Sequence, residues 1–124
     1  MAELFAQEGI ELVRNMRDDN WLNGRNWKEN INIAVYAIDR ANAIAGTVIS
    51  VDNITNSDAR LLINDDGLYQ HSAGTNTMFY RAVTADTANC SDADDCLHLI
   101  SSVRWSERGN TYNYQTEAYL YNWQ

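Results

Sequence analysis

The residues of this chain best suited to chemistry lie together in Cys90-Ser-Asp-Ala-Asp-Asp-Cys96, where two cysteines bracket three carboxylates. A pair this close around a polar loop, with no other cysteine in the chain, reads as a disulfide staple made in an oxidising compartment. Closing so small a ring stabilises a fold by roughly 2 to 2.5 kcal/mol in the chain-entropy model. A zinc site would need two further ligands at usable spacing, and a redox pair is more often CxxC. Asp92, Asp94 and Asp95 inside the ring are hard oxygen donors and weak calcium candidates. No glycine or bidentate glutamate completes a known calcium loop, so the expectation is a solvated acidic loop with no specific metal requirement.

Elsewhere the signals for catalysis are thin. The chain contains no GxSxG, HExxH, P-loop or GxGxxG pattern, and its two histidines, His71 beside a turn and His98 on the outer face of a hairpin, read as surface residues. No catalytic residue and no cofactor is expected. Four tryptophans and seven tyrosines are present. Aromatics at alternate strand positions usually pack a core or its rim, yet Tyr119, Tyr121 and Trp123 share the outer face of the last strand and form a possible partner or ligand face.

The elements that would position these residues follow from periodicity. Over residues 2–20, Ala2, Phe5, Ala6, Gly9, Leu12, Val13 and Met16 fall in one stripe at 100° per residue, opposite Glu3, Gln7, Glu11, Arg14, Asn15 and Asp18. This predicts an amphipathic helix about 28 Å long, ended by Asp19-Asn20 and then Asn23-Gly24. Phe5, Leu12, Val13 and Met16 are the expected seam against a sheet. Leu4 and Ile10 miss the stripe; they read either as single exposed apolar residues that need no cause or as a second, assembly-facing side.

From Ile31 the period changes to two. Ile31, Ile33, Val35 and Ala37 alternate with polar or small residues; strands are expected over 60–63 and 68–71 around the turn 64–67, and over 77–83. If Gly109-Asn110 is a two-residue turn, the last hairpin pairs Trp105 with Tyr114, Val103 with Thr116, Ser101 with Ala118 and Leu99 with Leu120 on one face. Arg104 with Gln115 and Ser102 with Glu117 then form the solvated face. The stretch 42–57 reads only as an irregular connection holding a short element. The fold class is α+β: one N-terminal amphipathic helix packed on an antiparallel sheet.

Totals restrict the partners. The chain has 124 residues, 45% of them hydrophobic, and a net charge of −8, which suits one compact domain over 1–124 and excludes a phosphate-backbone binder. No nucleic acid is expected to bind it. No stretch is apolar enough to span a membrane, and no export signal accompanies the cysteine pair. Together these predict a native segment ahead of Ala2 that this sequence lacks.

Residues 6–22 (AQEGIELVRNMRDDNWL) closely resemble the second half of the N-terminal helix of type IV pilin-like proteins of the minor pilin and pseudopilin sort. Residues 103–110 (VRWSERGN) and 116–123 (TEAYLYNW) look like the final hairpin of that group. Residues 61–69 (LLINDDGLY) and 77–81 (TMFYR) resemble its middle strands. The resemblance spans most of the chain in order, with 42–57 and the cysteine loop as departures. It implies a structural, non-enzymatic subunit of a type IV pilus or of a type II secretion-like pseudopilus. That subunit would be anchored in the cytoplasmic membrane through a missing segment of roughly 20 to 25 apolar residues. It would then assemble with other pilin or pseudopilin subunits into a periplasmic or cell-surface filament. The rival reading is a free-standing extracytoplasmic binding module using the Tyr119, Tyr121 and Trp123 face.

Overall fold

The predicted stripe forms a helix, α1 (Ala2–Leu22), whose buried side consists of Phe5, Ala6, Gly9, Ile10, Leu12, Val13, Met16 and Asn20. Asn23 caps its end, and Gly24 turns the chain away at φ +67°, a conformation open to glycine without steric cost. The computed structural model describes residues 1–32, 34–71, 74–87 and 89–122. Ile10 departs from the expectation of an exposed edge: it is only 6% exposed and belongs to the main core. The reason is that α1 lies in contact with β6 (Cys96–Glu107) and β7 (Asn110–Tyr121) as well as with the sheet centre. The apolar arc of the helix is therefore wider than a single stripe.

Among the described residues the remaining strands are β1 (Val35–Ala37), β2 (Ile49–Ser50), β3 (Arg60–Ile63), β4 (Tyr69–Gln70) and β5 (Thr75–Asp86). All pair antiparallel in one sheet, so the molecule is α+β. The 12-residue β5 is the spine. Along one edge it pairs with β6 from Asp86↔His98 to Phe79↔Trp105. Its other edge is shared by β1, at Val83 and Thr84, and by β3, toward Thr75.

The final hairpin forms with a different turn from the one expected. Arg108 and Gly109 are the turn residues, at φ +53° and +81°, and Glu107 pairs with Asn110, Trp105 with Tyr112, Val103 with Tyr114 and Leu97 with Leu120. Two positive φ values in succession match the twist of the flanking strands. The pairing is shifted by two residues. Because strand side chains alternate with period two, the inward and outward faces are still those the pattern predicts.

The stretch 42–57 takes in the end of a short helix, α2 (Arg40–Ala45), and all of β2. Asp39 caps α2 by accepting the Asn42 N–H at 2.8 Å, and Gly46 ends it at φ +75°. Residues 31–39 contribute strand only over β1; Ile31 lies in a turn and Ile33 outside the described residues. The segment after β2 folds over the sheet face away from α1, where Val51 buries with Ala37 and Ala82, and Ile49 and Ile54 pack against them.

Between α1 and the sheet the core is in two parts. The larger gathers Ile10, Leu12, Val13, Met16, Tyr36, Val83, Leu97, Leu99 and Leu120. The smaller gathers Phe5, Ala6, Leu61 and Val103, with Phe5 edge-on to Tyr69 and Phe79 at ring distances of 4.7 and 5.0 Å. The four seam residues Phe5, Leu12, Val13 and Met16 thus all lie in the helix-to-sheet contact. Among the described residues no helix is long and apolar enough to cross a membrane.

Candidate functional site

α1 is held to the sheet by a polar layer between the two apolar clusters. Arg81 occupies an inward position of β5, flanked by Phe79 and Val83 on the same face, and is fully buried. Its guanidinium donates to the Phe5 carbonyl at 3.0 Å, the Ile38 carbonyl at 2.7 Å and the Glu8 carboxylate at 2.6 Å. Burial works against the charge, and the Glu8 carboxylate opposes that effect. One side chain therefore ties the helix, through residues 5 and 8, to the strand end that precedes α2. Glu8 is half exposed at the rim of an open groove of about 600 Å³ between α1 and α2. Glu11, Asn15 and Asp19 of α1, with Arg40 and Ile44 of α2, continue its lining.

Beside this layer lies His71, which is buried and not at the surface as expected. Its backbone N–H donates to the Asp39 carboxylate at 2.7 Å, and its two ring nitrogens face the carbonyls of Arg60 and Ile38 at 3.0 and 3.2 Å. A neutral imidazole can donate to only one of the two. Burial, followed by the Arg81 guanidinium, holds the ring below its ordinary pKa. The turn at 64–67 places β4 beside β3 and so draws residue 71 inward, which a local reading of turn residues does not capture.

His98 faces outward from β6 as expected, but it is covered. Its ring nitrogens meet Glu117 at 2.8 Å and Asp86 at 3.0 Å, and its ring stacks on Tyr119 at 4.7 Å. The hydrogen bond to Glu117 leads the effects that raise its pKa, with Asp86 adding to it. Tyr119 and Tyr121 do share the outer face of β7, both half-buried. One face of the Tyr119 ring is taken by His98. Trp123 lies outside the described residues.

The cysteine loop closes as predicted, with a disulfide between Cys90 and Cys96. Asp92, Asp94 and Asp95 are exposed, and the loop is tied down through the Asp92 carboxylate and three backbone carbonyls. Asp92 accepts the Asp94 N–H at 2.9 Å; the Asp94 carbonyl accepts from the Trp27 indole at 3.2 Å, the Ala93 carbonyl from Lys28, and the Asp95 carbonyl from the Asn122 N–H at 3.0 Å. Among the described residues no group of three or more His, Cys, Asp or Glu is arranged to hold a metal ion. The loop joins the chain just after α1 to the end of β7. Asn20, buried at the end of α1, supports the same junction by donating to the carbonyls of Trp27 and Glu29.

On the uncovered side of α1, Leu4 and Leu22 are 63% and 85% exposed. They are about five helical turns apart and therefore lie on one line along the axis. Ile44, on the neighbouring α2, is 76% exposed. Sequence reasoning singled out Leu4 but not Leu22, Arg81 or Asp39. Comparison with protein-family models, with curated proteins and with solved structures finds no match for this chain.

Proposed function

We propose that this α+β unit is the head of a type IV pilin-like filament subunit, a minor pilin or pseudopilin, that assembles by packing the free side of α1 against neighbouring copies. The observation that carries the reading is the line of exposed leucines, Leu4 and Leu22, on a helix whose other side is fixed to the sheet by apolar burial and by Arg81. Scattered single apolar residues need no cause. Leu4 and Leu22 stand at the two ends of a clamped helix with Glu11, Asn15 and Asp18 between them on the same side, and in this reading each is an apolar anchor for a neighbouring helix. A contact of this kind joins one surface to a different one, and repeating it without closure builds a filament. With the reading come the partners and place that the resemblance implies: other pilin or pseudopilin subunits, a cytoplasmic-membrane anchor before assembly, and a periplasmic or cell-surface filament.

The test compares Leu4→Asp with Ile10→Asp. Leu4→Asp leaves the melting temperature of the head nearly unchanged and blocks incorporation of the full-length subunit into filaments. Ile10→Asp buries an unpaired carboxylate, costing several kcal/mol against a total of about 5 to 15, and unfolds the head. A Leu4→Asp subunit that still assembles would sink the proposal.

A further inference from the structure

The face of the sheet turned away from α1 carries a row of three residues across three strands. Arg60 of β3 pairs with Tyr80 of β5, and Tyr80 pairs with Arg104 of β6. The Arg60 guanidinium lies 5.5 Å from the Tyr80 ring centre, fixed by a 2.9 Å bond from its Nε to the Thr77 carbonyl. Arg60, Tyr80 and Arg104, together with Met78, Thr55 and Ser106, line an open cavity of about 350 Å³.

Charge sets this cavity apart from the groove between α1 and α2, which carries Glu8, Glu11 and Asp19. The chain carries 17 Asp and Glu against nine Lys and Arg, yet no carboxylate lines the cavity. Among the described residues Arg60 and Arg104, like Arg40 and Arg108, make no ion pair, whereas Arg14, Arg17, Arg25 and Arg81 do; Arg60 and Arg104 are the two that share one cavity. Two like charges on either side of one tyrosine, two strands apart, repel across the solvent-facing side of the sheet. The Tyr80 ring and the Thr77 carbonyl offset part of that cost at Arg60, but no carboxylate among the described residues pairs with either guanidinium, and an anion seated between the two would. We infer that this cavity binds the carboxylate of a sugar acid, a uronate unit of a polysaccharide. The guanidiniums supply planar paired donors for the carboxylate. The hydroxyl oxygens of Thr55 and Ser106, which donate toward Asn53 and meet Thr111 respectively, retain acceptor capacity for ring hydroxyls. Met78, 46% exposed, offers an apolar flank to the pyranose. This site is independent of the α1 assembly face.

The experiment is calorimetric titration with trigalacturonate, with maltotriose and with inorganic phosphate. Trigalacturonate is expected to bind saturably, more weakly as salt is raised, and maltotriose and phosphate not to bind. Arg104→Gln should weaken trigalacturonate about tenfold or more, since a charge-assisted bond is lost, while melting no lower than wild type. Arg108→Gln, the same change of net charge at the hairpin tip, should bind as wild type. Absence of binding, equal binding of phosphate, or unchanged affinity in Arg104→Gln would each overturn the proposal. So would ligand-free self-association that Arg104→Gln abolishes, which would place a second copy's carboxylate in the cavity.

Discussion

Gly9 of α1 and Ser101 of β6 are in such close approach that a Cβ built on Gly9 would lie 2.5 Å from the serine Oγ and 3.3 Å from Cδ of Arg81. The glycine is mid-helix, where alanine would ordinarily stabilise by about 0.5 to 1 kcal/mol. Here the added methyl meets a fixed layer, and overpacking of this kind costs about 1 to 3 kcal/mol. Gly9→Ala is therefore expected to destabilise by about 1 kcal/mol in urea unfolding. Ser101 Oγ makes no hydrogen bond among the described residues, so Gly9→Ala with Ser101→Ala should recover most of the loss. An unchanged or raised stability in the single variant would show that the helix does not pack this closely.

The same layer makes Arg81 and Glu8 unequal partners. Arg81 is wholly buried and Glu8 about half exposed, so losing the carboxylate removes a solvent-screened contact and leaves two carbonyl partners in place. Glu8→Ala should cost about 1 to 2 kcal/mol after that discount. Arg81→Ala opens a cavity and strands the Phe5 and Ile38 carbonyls in the core, an expected loss of about 3 to 5 kcal/mol. Denaturant midpoints of the two variants check the order; equal losses would mean the ion pair itself holds the helix.

The disulfide is expected to support the junction without being essential to it. Denatured, unreduced protein should show no free thiol. Reduction removes about 2 to 2.5 kcal/mol, lowering the melting temperature by on the order of 10 °C. The bonds from Trp27, Lys28 and Asn122 keep the loop in place, so the reduced protein should remain folded at room temperature. Circular dichroism of the reduced, alkylated protein measures this, and a chain that unfolds on reduction would contradict it.

What the sequence made legible was whatever depends on local period. The stripe of α1, the two faces of β6 and β7 and the closed cysteine loop all follow from side-chain spacing, and the hairpin faces survived a misplaced turn because the error was even. Three features were not legible because they depend on long-range contact. Ile10 falls off the stripe by angle but is covered by the last hairpin. Arg81 looks like an ordinary surface arginine until the inward alternation of Phe79 and Val83 places it under the helix. Arg60 and Arg104 are 44 positions apart in sequence and become near neighbours only through β5.

The two histidines bias stability in opposite directions with pH. His98 sits between Asp86 of β5 and Glu117 of β7, with Tyr119 of β7 against its ring, and its folded pKa is raised by Glu117 first. A raised folded value means the native state holds the proton more tightly. That contribution is fully present below the unfolded pKa of about 6.5 and is lost as pH rises through the folded value. His71, enclosed by Arg60, Ile38, Asp39 and Arg81, has a lowered folded pKa through burial. Its native form resists the proton, so stability falls as pH drops below about 6.5 and the unfolded chain takes that proton up. Melting temperatures of wild type, His98→Gln and His71→Gln between about pH 5 and 9 separate the two. Relative to wild type, His98→Gln should lose most at the acid end, with the difference narrowing above neutrality. His71→Gln, whatever its constant packing cost, should show the reverse slope, with its deficit smallest at the acid end. Parallel curves for all three proteins would mean that neither ring changes its affinity for a proton on folding, and the carboxylate bracket around His98 would then be a packing feature alone.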